Sequence, residues 1–153
     1  MPRTPAEPAR LLADPPGGRL RTAGRLALGA ALAFAGTGHL TFAREEFQAQ
    51  VPGWVPVDDD AVVLGSGVVE IALGAALALA PRRYRAAVGW VAAAFFVAVF
   101  PGNVSQYLTH TDAFGLDSDA KRAARLPFQV GLVAWALWST GAWRAWRDAR
   151  RTR

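Results

Sequence analysis

The chain of 153 residues contains no cysteine. That absence excludes disulfides, thiol redox motifs, thiolate zinc sites and cysteine-held iron–sulfur clusters. Histidine is nearly as scarce. His39 and His110 are the only two, so an all-protein metal site would need carboxylate help. A haem held by two histidines would need both, and His110 lies in the loop sequence Thr109-His110-Thr111. Charged residues make up only 19% of the chain against 52% apolar, and the mean hydropathy is +0.17. Small soluble domains carry more charge than this, and six Trp, eight Phe and two Tyr argue against disorder. The net charge of +5 comes without a basic–aromatic recognition pattern, so nucleic acid is not an expected partner.

What the chain has in abundance is long apolar runs. Four stand out: Leu26 to Ala43, Ala61 to Ala80, Ala86 to about Leu108, and Leu126 to Trp143. Each is about 18–23 residues, enough for a helix to cross a hydrocarbon layer of roughly 30 Å. The expected fold class is therefore all-α, a membrane protein built as a four-transmembrane-helix bundle. The first run is too long for a signal peptide and no clear cleavage site follows it. Residues 1–25, rich in Pro, Gly, Ala and Arg, are expected as a flexible cytoplasmic tail, residues 26–146 as the membrane domain, and residues 147–153 as a basic cytoplasmic tail.

Charge sets the expected orientation. Thirteen of the 17 basic residues lie in the two tails and the short connection after the second run. The positive-inside rule puts both termini on the cytoplasmic side of a cell membrane. Glu45, Glu46, Asp58, Asp59, Asp60, Asp112, Asp117 and Asp119 all fall in the outer connections. The lipid bilayer, with anionic headgroups facing the basic tails, is the first expected partner. Gly29, Gly36, Gly67 and Gly74 supply small faces for close helix packing in lipid, and Ser66, Glu70 and Gly74 share one stripe.

Polar residues inside these runs are the candidates for function. Glu70 lies roughly 13 Å below the outer boundary, where a bare charge is costly. His39, Asn103, Gln106, Arg125 and Gln129 fall near the outer ends of the first, third and fourth runs. The cytoplasmic halves are nearly bare of polar groups. This asymmetry points to a ligand-binding pocket open to the outside, the alternative being an interhelical hydrogen-bond network that serves packing. Pro101-Gly102 is expected to kink or unwind the third helix, freeing carbonyls that need partners. The connection from Glu45 to Pro56, with Phe47, Val51, Trp54 and Val55, is expected to lie at the outer interface.

Four short motifs, AGTGHLTF with the following VPGWVP, SGVVEIALG, VFPGNVSQYL and RLPFQVGLVAWALW, give the chain a resemblance to the DoxX-like bacterial membrane proteins over most of residues 25–143. That resemblance implies an integral inner-membrane four-helix bundle, with relatives linked to thiosulfate–quinone oxidoreduction and oxidative-stress complexes. It assigns no catalytic role to any residue here. The function expected is a non-catalytic membrane subunit or scaffold, docking a protein partner in a redox or stress-related complex. The alternatives are an oxidoreductase component that binds a quinone or similar molecule in the outer pocket, and a proton-linked transporter that uses Glu70. No cofactor motif is evident, quinone being the one cofactor the pocket residues would suit. Whether the protein is an enzyme stays open on sequence.

Overall fold

A computed structural model describes residues 18–151, and all their regular structure is helical. Four long helices, α1 (Gly18–Leu40), α3 (Asp59–Leu79), α4 (Arg85–Leu108) and α5 (Asp119–Thr140), are joined by short connections. A one-turn helix, α2 (Arg44–Gln48), follows α1, and an amphipathic helix, α6 (Ala142–Arg151), follows α5. A 3-10 turn at Arg82–Tyr84, set by Pro81, leads into α4.

The termini of these helices have local causes. Asp58 caps α3 by accepting from the amide of Ala61 at 3.1 Å, and Asp59 and Asp60 favour the positive end of the helix dipole. Ser118 caps α5 in the same way, through the amide of Lys121. Gly141 ends α5 at φ 76°, a left-handed conformation that glycine adopts without steric cost. The apolar run expected to continue to Trp143 therefore breaks at Gly141, and the boundary expected at residue 146 falls inside α6.

Two further expectations change. Residues 1–17 of the expected tail lie outside the described residues, but the chain is already helical from Gly18. Arg, Leu and Ala are strong helix formers, and Arg25 is buried, with its guanidinium donating to the carbonyls of Leu77 and Ala78 at the end of α3. Those carbonyls lack helical donors of their own, so the arginine satisfies a helix terminus. Pro101 also fails to unwind its helix: α4 is helical throughout from Arg85 to Leu108. Proline leaves the carbonyl of Val97 without its helical donor. One residue earlier, the Phe96 carbonyl accepts from Gln129 Nε2 of α5 at 2.6 Å.

The long helices form two antiparallel hairpins. α1 packs chiefly on α3, and α4 chiefly on α5, while α1–α5 and α3–α4 contacts are lighter. The first hairpin is drawn together by glycine. A Cβ placed on Gly36 would lie 2.5 Å from the carbonyl oxygen of Gly67, and one on Gly74 would lie 2.5 Å from that of Gly29. The two contacts are seven residues apart on each helix, so the backbones touch along two turns. In the second hairpin Gly89 takes the Thr140 side chain directly against its backbone. Leu28, Leu32, Leu73, Leu77, Ala92, Ala93, Phe96 and Ala136 fill the end nearer the chain termini.

α3 and the stretch formed by the 3-10 turn and α4 are long and apolar enough to cross a membrane. α1 and α5 are as long, but carry more charge, with Arg19, Arg21 and Arg25 in one and Asp119, Lys121, Arg122 and Arg125 in the other.

A candidate polar pocket between the hairpins

Between the hairpins, running from the edge of the apolar core toward the opposite end, lies a cavity of about 510 Å³. Five of the six sequence-derived candidates line it: His39, Glu70, Asn103, Arg125 and Gln129. Gln106 stands behind the wall at 2% exposure and holds two of the lining groups in place. Leu28, Leu32, Phe96, Val99, Phe128, Leu132 and Trp135 give the rest of the wall its apolar character.

One polar group sits on the first hairpin. His39 of α1 faces Ser66 and Glu70, one turn apart on α3. Its Nδ1 lies 2.7 Å from Ser66 Oγ and 3.2 Å from the Val63 carbonyl oxygen. Ser66 Oγ itself donates to the same carbonyl at 3.0 Å. A carbonyl can only accept, so a proton on Nδ1 satisfies all three contacts at once, Nδ1–H donating to Ser66 Oγ and the Val63 carbonyl while the serine donates to that carbonyl. Nε2 then points its lone pair toward Glu70 Oε2, 3.6 Å away. Oε2 is buried and accepts no hydrogen bond. The two atoms face each other with one proton's worth of chemistry between them, at a distance too long for a direct bond.

The second hairpin carries an amide relay. Asn103 Nδ2 donates to Gln129 Oε1 at 3.2 Å, and Gln129 Nε2 donates to the Phe96 carbonyl. Toward the rim, Gln50 Nε2 donates to Gln106 Oε1 at 2.9 Å, and Arg125 donates to Gln106 Oε1 at 3.3 Å and to Gln50 Oε1 at 3.4 Å. Gln106 Nε2 in turn reaches the carbonyls of Thr111 and Ala113. The Arg125 guanidinium lies 5.5 Å from the centre of the Phe114 ring, and Phe114 meets Phe47 edge-on at 4.6 Å. Phe47 packs on the His39 ring, so an aromatic chain joins the two hairpins across the rim.

The connection after α1 covers this end. Gln50, Val51, Pro52, Trp54 and Val55 line the cavity, while α2 is tied to α3 by the Arg44–Asp60 ion pair and by Gln48 Nε2 donating to Asp60 at 2.6 Å. Glu46 accepts from the amide of Phe114. Beside the rim, Arg122 is 5% exposed and binds Asp112, Asp119 and the carbonyls of His110 and Thr111. The hydrogen bond from Lys121 keeps the Asp117 carboxyl below its ordinary range.

Sequence reasoning missed Gln50 and Arg122. Gln50 lies in a connection read only for its apolar residues, and Arg122 was counted as one more loop charge. For Arg122 the signal was available: it lies three residues before Arg125 on one helix face, ten residues after Asp112.

These features define, over the described residues, an all-helical bundle with a mainly apolar cavity between its halves into which a few polar side chains converge. A family model matches residues 28–140, and the chain belongs to that family, a domain of unknown function designated DUF8561. This finding overturns the resemblance to DoxX-like proteins. The motifs behind that resemblance are small residues, aromatics and isolated polar groups spaced along apolar helices, a pattern that close packing of apolar helices produces in unrelated bundles. No curated protein and no solved structure matches the chain. Among the described residues, no three His, Asp or Glu side chains gather as a metal site.

Proposed function

We propose that the protein is a four-span membrane protein, with both termini cytoplasmic, that binds an apolar small molecule with a polar head in the cavity between its hairpins. Support for four spans comes from the outer surface of the bundle. Phe34 of α1, Val68 and Leu79 of α3, Val91 and Val97 of α4, and Val130 of α5 are all exposed. A bundle in water would not leave such a surface on every long helix. The exposed charges of α1 and α5, Arg19, Asp119 and Lys121, lie in first turns within reach of headgroups, while Arg25, Arg122 and Arg125 are held by protein partners. The thirteen basic residues on one side support the orientation.

The observation that carries the binding reading is the cavity. It is lined mainly by apolar groups, with a few polar groups converging from all four long helices, as in small-molecule sites generally. A subunit that only docks a protein has no need of it, so the geometry favours ligand binding over a scaffold role. Purified protein in phosphatidylcholine nanodiscs, examined by native mass spectrometry, should carry a bound non-phospholipid molecule of low mass. Ala35 lines the cavity, and Ala35→Trp should obstruct it and sharply weaken that adduct. An adduct undiminished in that variant would overturn the reading. For topology, single cysteines fit this natively cysteine-free chain. A cysteine at Asp117 should label from the outside in intact cells, and one at Arg83 only after the membrane is opened.

A further inference from the structure

We propose that the molecule held in this cavity carries an uncharged hydroxyl group, seated between His39 Nε2 and Glu70 Oε2. The inference rests on the binding reading above and names the chemistry of the head. Glu70 is 8% exposed and His39 7%, both line the cavity, and Oε2 has no hydrogen-bond partner. An orphaned buried carboxyl oxygen is costly, and nearly all such atoms in folded proteins find a partner. The gap of 3.6 Å to Nε2 is too wide for the two to satisfy each other. An oxygen set on the cavity side of the line joining them reaches both at ordinary hydrogen-bond distance, about 2.8 Å.

The proton inventory selects the group. Nδ1 has its proton fixed by Ser66 and the Val63 carbonyl. With a neutral imidazole, Nε2 accepts, and the facing carboxyl either donates or accepts. A hydroxyl both donates and accepts, so it bridges this pair in either arrangement, with the proton on Glu70 or on His39. A carbonyl or ether oxygen only accepts and satisfies one side. An ammonium would add a second cation to an apolar cavity that already contains Arg125. A carboxylate head in this gap would face the Glu70 carboxyl, and its charge is better met elsewhere in the cavity, beside Arg125.

The test uses three probes that share one tail: para-hexylphenol, its methyl ether and para-hexylbenzoate. Binding is measured by calorimetry on the protein in phosphatidylcholine nanodiscs, with empty nanodiscs subtracted for partition. The phenol is expected to bind about tenfold more tightly than the ether or the benzoate, because a site built around a hydroxyl rejects analogues that lack one. In Glu70→Leu that preference should vanish while all three still bind. The wild-type series decides the question even if that variant does not fold. Equal binding of phenol and ether by wild type would overturn the hydroxyl assignment and leave the cavity reading standing. Tightest binding of the benzoate would overturn it too, and would give the head to Arg125. If no probe binds saturably, or if Ala35→Trp binds all three as wild type does, the cavity reading falls with it.

Discussion

The glycine contacts of the first hairpin make a quantitative prediction. Gly36→Ala adds one methyl group, which would meet the Gly67 carbonyl oxygen at 2.5 Å, Ile71 Cγ1 at 2.9 Å and Glu70 Cβ at 3.0 Å. Two of these neighbours are backbone or backbone-proximal atoms and cannot rotate away, so the helices must separate. Overpacking of this kind costs about 1–3 kcal/mol. A Gly→Ala change in a helix also gains about 0.5–1 kcal/mol in backbone terms, which partly hides that cost. Gly65 supplies the reference. It lies in α3, and a Cβ there meets nothing within 4 Å. The backbone gain is common to Gly36→Ala and Gly65→Ala, so the difference between them isolates the steric term. Thermal or denaturant unfolding in detergent should place Gly36→Ala about 1–3 kcal/mol below Gly65→Ala, with Gly65→Ala at or above wild type. Equal stability of the two variants would refute close backbone packing of α1 on α3. The displacement should also widen the His39–Glu70 gap, since Gly36 and His39 lie one turn apart on α1.

Gln129→Leu removes the donor to the Phe96 carbonyl and the acceptor of Asn103 in one step, and should lower stability by about 1–3 kcal/mol in an unfolding titration. Asn103→Leu, which leaves Gln129 bonded to Phe96, should cost less. Arg122→Ala should loosen the turn around residues 110–112 and raise its amide exchange while the helices keep their protection. The lowered carboxyl of Asp117 sets a sign for pH dependence. Its contribution is fully present above the ordinary aspartate range and is lost as pH falls through the lower folded-state value. A carboxyl-carbon titration of Asp117 by NMR should therefore show a midpoint below that of a free aspartate, and Lys121→Ala should move it upward.

Much of this molecule is legible in its sequence because packing long apolar helices side by side leaves few solutions. Long apolar runs become helices, and the glycines at residues 29, 36, 67 and 74 lie at their interface as their spacing indicates. The polar residues of the outer halves gather because each needs partners away from an apolar surface. The details that escaped are those set by tertiary contact. Gly18 to Arg25 reads as tail by composition, yet Arg25 finds the end of α3 and carries the helix outward. Pro101 reads as a break, yet packing between α4 and α5 keeps the helix continuous, with Gln129 on a carbonyl beside the defect. Gln50 belongs to the site only because the connection folds back over the cavity, which no local pattern encodes. The family escaped for a related reason: small-residue faces and isolated polar groups report on the solvent a bundle meets more than on its ancestry.

The placement of the cavity along the seam between two tightly packed hairpins separates the parts that must stay fixed from the parts that can vary. Glycine contacts and a terminal arginine brace the first hairpin internally, and the amide relay braces the second. Fewer ties cross the seam, among them Gln50 to Gln106 and Trp135 to the Gly24 carbonyl, so a change of shape falls on the seam before it falls on either half. An occupant would act as mortar between two preassembled bricks. Its departure would leave each brick whole and only the joint between them loose.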